Sequence, residues 1–124
     1  MSIQTTVFCS LQVEGIHSWP KCPHEEVSYL RDPHRHIFHI KAYKKVNHDD
    51  RDVEFIMMQH SIQKYLLEKY QCGPRVGNFG FNAFMFGSMS CEMIGLELLK
   101  ALDLCKVEVN EDDENGAIVE VIND

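Results

Sequence analysis

His34-Arg35-His36 stands at the head of a strand-like run that continues Ile37-Phe38-His39-Ile40-Lys41-Ala42-Tyr43, and His17 ends an earlier run of the same kind. Side chains alternate faces along a strand, so His34 and His36 point the same way, with imidazoles close enough to share one ion. His17 is the natural third ligand. Three neutral imidazoles at about 2.0–2.1 Å leave one coordination position open for water or substrate, the arrangement of catalytic rather than structural zinc. His39 faces away from the pair, and His24, His48 and His60 fall on a loop or a helix. The competing reading makes His34 and His36 exposed histidines at a loop edge.

The elements that must position these residues follow from hydrophobic period. Thr6 to Gly15 sets Val7, Cys9, Leu11 and Val13 on one face with mostly polar residues between, a half-buried strand. Ser18 to Pro33 holds three of the four prolines and reads as a loop returning the chain to His34. The second strand, His34 to about Val46, has apolar residues on both faces, which suits a sheet covered by helices on one side and by a neighbour or a barrel interior on the other. The polar stretch Asn47 to Asp52 supplies the N-cap region of a helix from about Asp52 to Lys69, with Val53, Ile56, Met57, His60, Ile62, Tyr65, Leu66 and Tyr70 at helical spacing. Gln71 to Ser88, rich in glycine and aromatics, reads as an ordered loop.

Ser90 caps a second helix, Cys91 to about Asp103, with Met93, Ile94, Leu96, Leu98, Leu99 and Leu102 as its apolar set. Lys106–Glu111 and Gly116–Ile122 alternate as strands around the turn Asp112-Asp113-Glu114-Asn115-Gly116, where Asn-Gly is a hairpin signal. The order strand, strand, helix, helix, strand, strand predicts one α+β domain over residues 1–124, an antiparallel sheet with both helices on one face. Another subunit is expected on the other face.

Composition narrows the function classes. Twelve basic against nineteen acidic residues give a formal charge of −7, which opposes attraction to phosphate backbones, so nucleic acid is not an expected partner. The first residues lack the basic region and apolar core of a signal peptide, and no apolar run is long enough to span a bilayer, so no membrane is expected and the location is expected to be cytoplasmic. Cys9, Cys22, Cys72, Cys91 and Cys105 form no CxxC pair and read as reduced thiols, most of them buried.

The chain resembles the 6-pyruvoyl-tetrahydropterin synthase and 6-carboxy-tetrahydropterin synthase family, the tunnelling fold. The likeness covers nearly the whole chain. His17 takes the place of the family histidine after strand one, and His34-Arg35-His36 that of its His-Gly-His, with Arg35 replacing glycine. Val53-Glu54-Phe55 looks like the family's Val-x-Asp-Phe, and Met89-Ser90-Cys91-Glu92 is similar to its Pro-Thr-x-Glu. Glu111 falls where the family's late strand ends in a glutamate that holds the pterin ring. The resemblance implies Zn²⁺ on His17, His34 and His36, a sheet that closes into a barrel in a homo-oligomer (trimer or hexamer), and lyase chemistry on dihydroneopterin triphosphate or a related pterin, the 6-carboxy product belonging to queuosine biosynthesis. Substrate-binding residues would be Glu111, with Ser90 and Cys91 adding contacts from the helix start; the other reading of Glu111 is one more member of a solvated acidic turn.

Two family features are missing. The cysteine four residues before the His-Gly-His is Leu30 here, and Gln71 to Gly87 contains no histidine where the family has an Asp-His pair. Cys22, in the loop between His17 and His34, is the candidate catalytic base in a shifted position, with Cys72 or the carboxylates Glu25, Glu26 and Asp32 as substitutes and Lys21, Arg31 and Arg35 as cations for a triphosphate. The alternative is a non-catalytic relative that keeps zinc and binds a pterin or purine-like ligand.

Overall fold

The computed structural model describes residues 1–70 and 83–122. Strand β1 (Thr5–His17) pairs antiparallel with β2 (His34–Val46) along its whole length, from Thr5 opposite Val46 to His17 opposite His34. The chain between them holds a short 3-10 helix, Glu25–Arg31. Helix α1 (Phe55–Lys69) follows, then a short strand β3 (Phe84–Gly87), helix α2 (Cys91–Ala101) and the hairpin β4 (Lys106–Glu111) and β5 (Asn115–Glu120). The sheet order is β3-β1-β2-β4-β5. The fold is α+β, as the element order predicted.

The sheet is mixed rather than antiparallel throughout. Part of the stretch read as a loop forms β3, which runs parallel to the end of β1, with Gly15 opposite Phe84. Its cause is a close approach: Phe86 is buried, and a Cβ on Gly15 would lie 2.5 Å from the Phe86 ring and 2.7 Å from Phe38. Only glycine leaves room there. Residues 71–82 of that loop, Cys72 among them, lie outside the described residues.

One face of the sheet carries the core. Cys9 and Leu11 of β1, Phe38, Ile40 and Ala42 of β2, and Val107 and Val109 of β4 pack with Met58, Ile62 and Leu66 of α1 and Ile94 and Leu98 of α2. The buried stripe of α1 is therefore Met58-Ile62-Leu66, not the wider set that periodicity suggested; Ile56, Met57 and His60 are exposed. Helix α1 also starts at Phe55 rather than Asp52, because the Glu54 side chain accepts hydrogen bonds from the N–H groups of Ile56 and Met57 and so serves as the cap. The opposite sheet face stays open, with Phe8 and Ile118 exposed.

The β4–β5 turn also differs from the Asn-Gly expectation. Asp112 and Asp113 take the left-handed conformation (φ 57° and 60°), and the Glu114 N–H donates to the Glu111 carbonyl. Aspartate tolerates that region better than most residues. Gly116 instead meets a space limit, since a Cβ would lie 2.2 Å from the Val109 carbonyl oxygen. No helix among the described residues is long and apolar enough to cross a membrane.

Candidate metal centre

Strand pairing brings the histidines together. His17 ends β1 directly opposite His34, and His36 lies two residues along the same face of β2, opposite Gly15. Glu111 ends β4 opposite Phe38, on that same face. One ligand atom from each of His17, His34, His36 and Glu111 lies within 4.8 Å of all the others. An ion bound there would be held by these four side chains, a donor set within the range that zinc uses.

Each imidazole is held by its far nitrogen. His17 Nδ1 lies 2.8 Å from the Met89 carbonyl, His34 Nδ1 2.8 Å from the Asp32 carbonyl, and His36 Nδ1 2.7 Å from Asp112 Oδ2. All three partners are acceptors. They place a proton on Nδ1 and leave Nε2 as the ligand atom, the outer-shell pattern of metal-binding histidines. Phe38, fully buried, lies beneath, with its ring centroid 5.2 Å from that of His17 and 5.8 Å from that of His36.

Glu111 Oε2 sits 2.9 Å from His17 Nε2 and 3.0 Å from His36 Nε2. These are ion-pair distances, and His17 Nε2 and Glu111 Oε2 are both buried with no hydrogen-bond partner beyond this cluster. A buried imidazole nitrogen and a buried carboxylate oxygen held this close suit a shared cation as well as a shared proton. The position expected to be open on a three-histidine ion is thus faced by a carboxylate. The donor set, three imidazoles and one carboxylate, matches zinc chemistry but suits other divalent transition metals also.

Burial alone would lower the His17 pKa, but the Glu111 carboxylate and the Met89 carbonyl outweigh it and raise the imidazole above its ordinary 6.5. Contact with His17 holds the Glu111 carboxyl below its ordinary 4.5 despite burial, and the charges of His36, His17 and His34 add to this. The raised His17 value contributes stability that is fully present below pH 6.5 and is lost as pH rises through the folded value. The lowered Glu111 value contributes stability present above pH 4.5 and lost as pH falls through its folded value. An ion held through His17 would have to displace its proton, so acid would oppose it. Zinc affinity, read by competition with a chromophoric chelator, is expected to fall steadily from about pH 8 to about pH 5.5. An affinity constant across that range would contradict binding through His17.

Beside the cluster lies an open pocket of about 520 Å³, whose lining includes Trp19, Leu30, Met89 and Met93 as well as Ser90, Cys91 and Glu111. The structure thus brings the three expected ligand-binding residues and two of the histidines, His17 and His34, to one cavity. Ser90 accepts from the Met93 N–H as the α2 cap. Burial, then the charges of Glu111 and Glu92, pushes the Cys91 thiol up to about 12, so it stays protonated.

Cys22 does not line this pocket; it is buried, with its thiol 3.7 Å from the His24 carbonyl and 3.8 Å from that of Val27. Leu30 does line it. Arg35 projects from the opposite strand face and pairs with Glu14 at 2.9 Å, and Arg31 donates to the Cys22 carbonyl and to Glu25. Sequence reading missed Asp112 and the Met89 carbonyl, since partners of ligands carry no spacing signal. The sequence matches no protein-family model and no curated protein.

Proposed function

We propose that this chain holds zinc with His17, His34 and His36 and binds a pterin, purine or related fused heteroaromatic ring beside it, in the manner of the 6-pyruvoyl- and 6-carboxy-tetrahydropterin synthases. The observation that carries this reading is the convergence of one ligand atom from each of His17, His34, His36 and Glu111, with an acceptor on the Nδ1 of every one of the three imidazoles. Bound zinc supplies a Lewis acid for ligand hydroxyl groups. Trp19, Leu30, Met89 and Met93 offer apolar walls to a flat ring, and the Glu111 carboxylate, which faces the ion position in the ligand-free chain, turns to accept from the ring's N–H edge when a ligand takes that position. On the synthase reading the substrate is dihydroneopterin triphosphate or a relative, and Cys22 reaches it only after the loop shifts.

Three observations favour the second reading, a zinc- and ring-binding relative without proton transfer. Leu30, at the family's cysteine position, lines the pocket; the Cys22 thiol faces its own loop; and the Cys91 thiol is too basic to ionise near neutrality. The fold is proposed to be the tunnelling fold, with a second copy continuing the sheet and covering the open face around Phe8 and Ile118 in a trimer or hexamer. Its proposed location is the cytoplasm, whose reducing conditions suit the free thiols of Cys9, Cys22, Cys91 and Cys105.

The test pairs turnover with binding. Zinc-replete protein is incubated with dihydroneopterin triphosphate and the products are separated by chromatography, while calorimetry follows pterins and purines. A new pterin product establishes the synthase. Binding without turnover, weakened by Glu111→Ala in protein that still holds its zinc but not by Cys22→Ala, establishes the binding protein. Folded, zinc-loaded protein that neither binds nor converts these compounds refutes both readings.

A further inference from the structure

Asp112 occupies an unusual place for an exposed turn aspartate. Its backbone is left-handed (φ 57°), its N–H donates to the Ile37 carbonyl at 2.8 Å, and its Oδ1 accepts from the Ile37 N–H at 2.9 Å. Main chain and side chain together thus carry the β2–β4 pairing one step beyond the Phe38–Glu111 pair. That leaves the second carboxylate oxygen with a fixed direction. Oδ2 lies 2.7 Å from His36 Nδ1.

The geometry points to Asp112 as a positioning residue that fixes His36 in the Nδ1–H form with Nε2 turned to the metal cluster. This rests on the metal reading given above. Both oxygens are committed, one to the backbone and one to the ring, so the imidazole can neither flip nor exchange tautomer without breaking a short contact. Glu111 and Asp112 are neighbours in sequence, so one turn delivers a carboxylate to the ion and a second carboxylate to the histidine beside it. His17 and His34 are held by backbone carbonyls instead; among the three, only the His36 support can be removed by a side-chain substitution.

Asp112→Asn tests this sharply. Asparagine tolerates the left-handed region, so the turn is retained. Its Oδ1 still accepts from Ile37, and its amide N–H₂ then faces His36 Nδ1. Two donors cannot face each other, so His36 must move its proton to Nε2, the atom needed for the ion. Zinc affinity by chelator competition is expected to fall about 10- to 100-fold in Asp112→Asn. Long-range ¹⁵N NMR of the apoprotein above the histidine titration range is expected to show His36 changing from Nδ1–H to Nε2–H. Asp112→Gly, which keeps the positive φ and removes the carboxylate, is expected to lose affinity and give a tautomer mixture. Asp113→Asn, at the adjacent left-handed position, is expected to leave both readouts unchanged.

Wild-type protein that binds zinc, with Asp112→Asn binding within about twofold of it and His36 keeping its tautomer, overturns this assignment and leaves the metal reading intact. Wild-type protein that binds no zinc overturns both.

Discussion

Zinc at about a thousand times its dissociation constant is expected to stabilise the apoprotein by about 4 kcal/mol, raising its unfolding midpoint by roughly 10–20 °C. The size follows from where the ligands come from. His17 ends β1, His34 and His36 open β2, and Glu111 ends β4, so three strands must pair in register before one ion can touch all four. The unfolded chain has no such site, and binding free energy therefore becomes folding free energy. Differential scanning calorimetry of apoprotein with added zinc reads the shift. Magnesium, which prefers an all-oxygen octahedron, is expected to give almost none. An equal zinc shift in His34→Ala would place the effect elsewhere on the protein.

Phe38→Ala is expected to destabilise the apoprotein by about 3–5 kcal/mol, the usual loss for a fully buried aromatic truncated in a packed core. Phe38 is fully buried at the centre of the sheet, edge-on to Phe86 at 5.1 Å between centroids and beneath His17 and His36. A domain of this size has only about 5–15 kcal/mol to lose, so a large part of its stability rests on this ring. The same cavity frees two metal-site imidazoles to tilt, and zinc affinity is expected to fall with stability. Urea unfolding measures the first effect and chelator competition the second. A midpoint shift worth less than about 1 kcal/mol would show that the site can collapse around the missing ring.

The parts of this molecule that repeat with a period were legible in the sequence. Alternation of Cys9 and Leu11 with polar residues, and the His-x-His spacing of His34 and His36, fix which residues share a sheet face; the structure agrees on both. The two helices and the late hairpin were legible for the same reason. What lacked a period was misplaced. Strand β3 is too short to show alternation, and it forms because Gly15 leaves space for Phe86, a long-range fact. The α1 cap is Glu54 rather than a residue in the more usual Asn47–Asp52 stretch. The turn bends at Asp112-Asp113, and the expected turn glycine, Gly116, answers instead to the Val109 carbonyl.

The site divides similarly. His34 and His36 were visible as a pair because strand geometry alone puts them on one face, and His17 joined them as the histidine that ends the earlier strand-like run and through family resemblance. Glu111 entered only through family resemblance, as a ring anchor, yet its carboxylate sits among the imidazoles, 2.9 and 3.0 Å from two of them. The partners that orient those imidazoles are two backbone carbonyls and a turn aspartate, and no residue type or spacing announces them.

The most direct test is metal stoichiometry with ligand identity. Protein stripped of metal, reloaded with zinc, and desalted is analysed by elemental mass spectrometry and by X-ray absorption at the zinc edge. One zinc per chain with three imidazoles and an oxygen donor in its shell is expected, falling to substoichiometric, weakly held metal in His34→Ala. Folded wild-type protein that retains no zinc, or zinc whose shell contains sulfur or lacks imidazole, would contradict a centre built from His17, His34, His36 and Glu111.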